Sequence, residues 1–413
     1  MPDEPQSTSQ PTPPVRLFAI ALFAAVLGLV IALSFGYADH DPKPQGVRIA
    51  VNGPVTVSSQ LAAGLQRAAP GGFDVIDVQS AAQVRASVRS QSTAGGLEIP
   101  ASGAVTIVTA GATGLTQQQA ITGALSAAAA GMHRPTRSVD VAPLSAGDRA
   151  GISSFVFVLA LLIPSVIGGA GLFLVGMRFR LWWRVAAGIV FALLASLAAT
   201  LVLDTVFHAL TGAGAELIGI GFLGALSFVL FVAAVQAVVG LPGTALAALA
   251  FVFVGNAISG GSVPIDFLPG GFRQVARWLP NAAIVRGVRD VVYFSGHDLG
   301  HPLFVLGLWP LVSLVLIAGV DVLHLGAMRR APNQPPHEIY MTSGVAHIRR
   351  RLTGRGDESH APTAAPATDR TPVSVSAPRS EPSNVQNPAS ASEREPMAVS
   401  APAYHGPPHR DGD

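Results

Sequence analysis

The chain contains no cysteine and a single lysine, Lys43. The first absence excludes disulfides, thiolate metal sites and cysteine nucleophiles. Any segment folded outside a membrane must therefore hold together through its own core. The second absence excludes a phosphate-binding loop, which needs Gly-Lys-Ser/Thr, because Lys43 stands between two prolines. The chain cannot hydrolyse ATP by that route, and an ATPase driving it has to be a separate subunit. Charge is also scarce, at 12% of 413 residues with a net of +2, which points to neither nucleic acid nor an acidic partner. There is no Gly-x-Ser-x-Gly, no His-Glu-x-x-His and no carboxylate cluster, so an intramembrane enzyme is disfavoured. No cofactor, metal or catalytic residue is expected.

What the sequence has in abundance is long apolar runs. A run of about 20 residues crosses the bilayer hydrocarbon as a helix. Such runs cover 17–37, 152–177, 185–203, 217–239, 241–258 and 303–325. One span, a polar insert and five further spans follow from that spacing. The expected fold class is an α-helical polytopic membrane protein with six transmembrane helices in a 1+5 arrangement and a small α/β domain between the first and second. The first run exceeds the usual signal-peptide core of about 7–15 residues, so it reads as an uncleaved anchor.

Arginines near short loops set orientation. Arg16 precedes the first span; Arg178, Arg180 and Arg184 bracket the turn after the second. Arg329, Arg330, Arg349, Arg350 and Arg351 follow the sixth. Six spans put all three groups on one side, expected to be cytoplasmic with both termini, in the plasma membrane. Trp182 and Trp183 fit an interfacial anchor. The expected organisation is a disordered tail (1–15), a first span (16–37), an extracytoplasmic α/β domain (38–150), a five-helix membrane domain (151–327) with a short helical hairpin at 264–296, and a disordered tail (328–413). Both tails are rich in Pro, Ser and Thr and lack apolar periodicity.

Within the insert, 47–51, 73–78, 104–109 and 138–142 read as strands, and 58–69, 81–89 and 116–130 as helices. No chemistry is visible there. Asp74 and Asp77 fall on opposite faces of a strand, and His133 is isolated. The insert is expected to contact a ligand or partner, or to gate the bundle.

Ionisable groups within spans are costly and hence candidate sites. Asp204 and His208 lie four apart on one helical face at the end of the third span, and Glu216 opens the fourth; a solvated role suits all three. Asp321 lies inside the sixth span with His324 three residues on. It is either a relay or gating group or a carboxylate held by Arg329 or Arg180. Asn256, near the end of the fifth span, is suited to an interhelical hydrogen bond. Glycines crowd the second and fourth spans, as close helix packing requires.

The most structured stretch is 255–294, Gly-Asn-Ala-Ile-Ser-Gly-Gly followed by Leu268-Pro269 and Leu279-Pro280-Asn281. A punctuated turn, a short helix at 272–279, a break where Asn281 can cap, and a second helix at 282–294 are expected. Arg273 and Arg277 share one helical face, and Arg286 and Arg289 another. Long side chains of this kind can snorkel. Together with Asn256, Asp266, Asn281 and Asp321, these arginines are the candidate pathway or gating residues. The stretch resembles the permeases of the ABC-2 type transporter superfamily, most closely the YhgE/Pip (phage-infection-protein-like) branch. Asp148-Arg149-Ala150-Gly151 is similar to the motif that precedes the second span in that branch.

The resemblance implies a membrane permease subunit of an exporter, working as a homodimer beside a separate ATPase subunit and moving an unidentified lipid, drug or envelope component. In that setting Arg178, Arg180 and Arg184 become the candidate ATPase-coupling turn, although 177–184 is short for that task. The alternative is a non-transport envelope protein, a phage receptor or secretion-apparatus scaffold, that uses the external domain for protein contacts.

Overall fold

The computed structural model describes residues 14–39, 43–176 and 179–330. Nearly all of both expected tails, and Arg178, lie outside that set. The description concerns the compact unit to which these residues belong.

A 26-residue helix, α1 (Pro14–Asp39), leads into a mixed five-stranded sheet. Its strands are β1 (Val47–Asn52), β2 (Phe73–Asp77), β3 (Gly95–Glu98), β4 (Val105–Thr109) and β5 (Thr136–Asp140), in the order β2-β1-β3-β4-β5. All pairs are parallel except β3–β4. Helix α2 (Val55–Ala68) turns Leu61 and Leu65 inward, and α4 (Leu115–Ala130) turns in Ile121, Leu125 and Ala129, all at helical spacing. Helix α3 (Ala81–Arg89) covers the other face with Val84 and Val88; its Ser80 cap accepts from Gln83 N at 3.3 Å.

Strand β3 has no alternating pattern, so it was not expected from the sequence. Its two glycines are there for space. A Cβ on Gly95 would sit 2.6 Å from Ile121 Cγ2, and one on Gly96 would sit 2.4 Å from Val84 Cγ1. Helices press the centre of the sheet from both sides, and only bare backbone fits between them.

Neither core of the insert closes by itself. On the α2/α4 face, Ile49, Leu97, Ile107 and Leu125 share one cluster with Ile258, Val263, Phe267, Leu268 and Ala276. On the α3 face, Ala50, Val84, Val88 and Val108 pack with Phe294. Residues from far along the chain therefore complete both apolar layers.

The remainder is helical: α5 (Ser153–Gly176), α6 (Leu181–Thr200, running on as a π-helix to Val206), α7 (Gly214–Val239), α8 (Pro242–Ala248, running on as a π-helix to Gly255), α9 (Gly270–Arg277), α10 (Pro280–Tyr293) and α11 (Gly300–Arg330). Four of them are long and apolar enough to cross a membrane: Ser153–Gly176, Leu181–Val206, Gly214–Val239 and Gly300–Leu323. Two shorter apolar helices, Ala24–Gly36 and Pro242–Gly255, occupy the places expected for the first and fifth spans. The second of these is short because Gly240 and Pro242 delay its start and the turn at Ile258 and Ser259 ends the helical run.

Helix α7 is the hub, packed on by α5, α6 and α11. Phe228 and Phe231 of α7, Phe251 and Trp309 form an edge-on aromatic cluster with centroids 4.7–5.2 Å apart. Asp204 falls in the π-helical stretch of α6, while His208 lies beyond it with φ of 51°. The expected common face for those two does not exist.

Candidate functional site

The site forms where the α/β insert, the start of α5 and the chain after α8 meet α10. Ser259 sets up the approach. Its hydroxyl donates to Asn256 O at 2.8 Å and accepts from Gly261 N at 3.2 Å. Gly260 adopts φ of +80°, and a Cβ on Gly261 would lie 2.5 Å from Phe155 Cδ2. The Ser-Gly-Gly sequence thus buys a tight turn pressed against α5.

Into that turn reaches Arg289 of α10, partly buried. Its guanidinium donates to Gly260 O at 2.9 Å, Gly261 O at 3.2 Å, Thr113 O at 3.1 Å and Gly151 O at 3.5 Å. One side chain therefore ties the insert, the beginning of α5 and the post-α8 turn together. Burial lowers its pKa to about 10, opposed by nearby Asp148, so it stays charged at neutral pH. It does not snorkel.

Asp148 braces the same junction. Its Oδ1 accepts from Ile152 N and Ser153 N, both at 3.0 Å, capping α5. Its Oδ2 lies 3.4 Å from the Tyr293 hydroxyl, whose pKa burial raises. Asp290, fully buried, accepts from Gln91 Nε2 and from Asp298 N, both at 2.9 Å. Burial pushes its pKa up.

Asn281 does not cap α10, because the helix begins one residue earlier at Pro280 with Leu279 preceding it. Its Nδ2 instead donates to Phe251 O, at 3.0 Å, within the π-helical part of α8. The side-chain oxygens of Asn281 and Asn256 are both buried without a protein partner among the described residues.

Above this junction a cleft of about 910 Å³ opens between insert and hairpin. It gathers Arg273, Arg277, Arg286, Arg289 and Asp266. Arg273 donates to Gln45 O at 2.7 Å, and Arg286 is paired with Asp298. The structure thus brings the four hairpin arginines and Asp266 to one place, with Asn256 and Asn281 beneath.

Asp321 is elsewhere. It pairs at 3.6 Å with Arg184 near the start of α6, not with Arg180, which is exposed at the N-cap of α6. The candidate pathway residue and the candidate coupling turn are thus one feature, at the opposite end of the bundle from the cleft. Trp182 and Trp183 stack there at 3.8 Å, about half exposed.

The sequence profile of the ABC-2 family transporter proteins matches residues 16–318. The chain belongs to that family. No curated protein matches it. The match runs from α1 through most of α11, so the insert and hairpin lie within the extent of the ABC-2 family profile. The chain is a membrane protein of this transporter family, whose membrane components usually work with a separate ATPase subunit.

Sequence reasoning missed Arg48, Thr113 and Tyr293 as members of the site, and treated Asp148 only as part of a motif. Arg48 carries the clearest local signal, an exposed cation between buried Val47 and Ile49 of β1. Thr113 takes part only through its backbone, which leaves no trace in residue type.

Proposed function

We propose that this ABC-2 family protein is the permease subunit of an exporter in the YhgE/Pip branch, moving a lipid, drug or envelope component across the plasma membrane. The family match is the observation that carries this reading. The chain crosses the membrane six times, with both termini cytoplasmic and the insert outside. Contacts along the bundle support that count. The Ser145 hydroxyl reaches Ala209 O at 2.7 Å, so the α6–α7 connection lies at the insert's end. Helix α7 leads away from that end, and residues 242–260 must return, since Gly260 meets Arg289 there. Phe35, near the end of α1, packs on the cluster shared with the insert, while α11 carries Asp321 to the far end.

The protein has no catalytic site of its own, and hydrolysis belongs to a partner subunit that acts at the Arg180–Arg184 end. It works as a homodimer, with cargo passing beside α8 and the hairpin. The test is affinity capture of the full chain from mild detergent. Co-purification of a subunit with a phosphate-binding loop is expected. A secretion-apparatus protein in its place, with no ATPase, would favour the envelope-scaffold alternative. Within the export reading, Asn256→Ala and Arg286→Ala should lower efflux without impairing membrane insertion. Unchanged efflux in both would remove the hairpin from the pathway.

A further inference from the structure

The cleft gathers more guanidinium donors than the side chains around it take up. Arg48 joins the four hairpin arginines on its wall, facing a single lining carboxylate, Asp266. Asp298 neutralises Arg286, and the four carbonyls hold Arg289. Arg273 gives one hydrogen bond to a backbone oxygen. Arg48 and Arg277 are exposed, with no side-chain hydrogen bond or ion pair among the described residues. Asp148 and Asp290 act on Arg289 and Arg286, and Asp74 stands opposite Arg48 in the β1–β2 register, yet Arg48, Arg273 and Arg277 still have guanidinium donors that no side chain among the described residues takes up.

Like charges gathered in a concave site repel one another, more strongly than on open surface because the walls exclude water. Folding stability alone gives no reason to collect them. An anion that enters relieves the repulsion and finds donors already in place. Neutral donors stand in the same wall. Gln117 is only 8% exposed, yet its carboxamide makes no hydrogen bond among the described residues. The cations are all arginine, whose planar fork matches the oxygens of a phosphate in pairs. The size also speaks: about 910 Å³ lies at the upper end of the range for sites that take a drug-sized molecule, well beyond a bare ion. Ala282 and Val285 of α10 contribute apolar wall beside the arginines.

We propose that the cleft is a binding site for a phosphate-bearing ligand of lipid-headgroup size, held chiefly by Arg48, Arg273 and Arg277. This deepens the export reading by naming the chemistry of the cargo, and rests on that reading for the cleft's outward orientation. Asp266 stands in the same wall as a lone carboxylate among the lining residues.

The test uses the full chain in nanodiscs of phosphatidylcholine, titrated with inorganic pyrophosphate and followed by the thermal shift in tryptophan fluorescence. Saturable binding is expected. The double variant R48Q/R277Q removes two charges without breaking an ion pair or side-chain hydrogen bond, and should weaken binding at least tenfold. The control R134Q/R137Q removes the same charge on and beside β5, at the far edge of the sheet, and should change it less than twofold. Discs containing phosphatidylglycerol tell the sources apart. Weaker apparent pyrophosphate binding there identifies a lipid headgroup, and undiminished binding identifies a soluble phosphorylated molecule. Absence of saturable binding to the parent chain, or equal loss in both double variants, overturns the proposal. No nucleotide or partner enters this assay. Its failure leaves the ATPase capture experiment untouched, and failure of that experiment leaves the cleft standing.

Discussion

The two ends of the bundle handle a partly buried arginine in opposite ways. At the insert's end, Arg289 is satisfied by four backbone carbonyls from three separate segments. At the other end, Arg184 meets one carboxylate at 3.6 Å, with the two side chains 10% and 23% exposed. Carbonyls cannot titrate or rotate away, and their positions are fixed by turns that only glycine can make. A carboxylate on a neighbouring helix can separate from its partner whenever the helices shift. The first arrangement suits a joint that stays closed, the second a contact that opens and re-forms. That is the division of labour expected if ATPase movements arrive at the Arg184 end.

The contrast can be broken most directly at Arg289. Arg289→Ala should cost about 3 kcal/mol, since several buried carbonyls lose a charged donor at once. Thermal unfolding and proteolysis near residues 111–114 and 255–264 would read it. Arg289→Lys should recover little, because one ammonium cannot reach four acceptors in a plane. If the lysine variant behaved as wild type, the fork geometry would be irrelevant. Next in size, Gly261→Val should cost about 2 kcal/mol by forcing Phe155 aside, with Gly261→Ala milder. Asn281→Ala should cost about 1 kcal/mol, through loss of its bond to Phe251 O, visible as faster amide exchange in α8. The smallest effect is expected for Arg184→Gln and Asp321→Asn. Each should cost about 0.5 kcal/mol or less, and a double-mutant cycle should give a coupling no larger. Should that coupling match the loss at Arg289, both ends would be rigid joints and the comparison would fail.

Much of this was legible in the chain itself. The helices of the insert announce themselves by spacing, as at Leu61 and Leu65 or Val84 and Val88. The Ser-Gly-Gly and Leu-Pro-Asn signals marked the breaks around α9 and α10. The paired arginines of the hairpin stood out because charge is so scarce around them. What stayed hidden depended on partners distant in sequence. Strand β3 is two glycines and two other residues, chosen by what presses on them and carrying no pattern of their own. Asn281 read as a cap because it follows a proline, and only the packing of α8 against α10 redirects it to Phe251 O. For Asp321 the sequence offered Arg329 or Arg180, and helix packing brings Arg184 to it instead. The contribution of Thr113 lies wholly in its backbone.

The shared core of the insert has a consequence for how the protein is made. Synthesis runs from the N-terminus at about 5–20 residues per second, so Leu125 exists well before Ala276. For roughly ten seconds or more by that rate, the insert waits with a bare apolar face, and Phe294 arrives later still. Its maturation cannot precede delivery of the hairpin to the same side of the membrane. A ribosome that stalls within α7 would leave an unfinished insert, ready for a chaperone or a protease. Completion of the insert thus reports that the later helices have been threaded correctly.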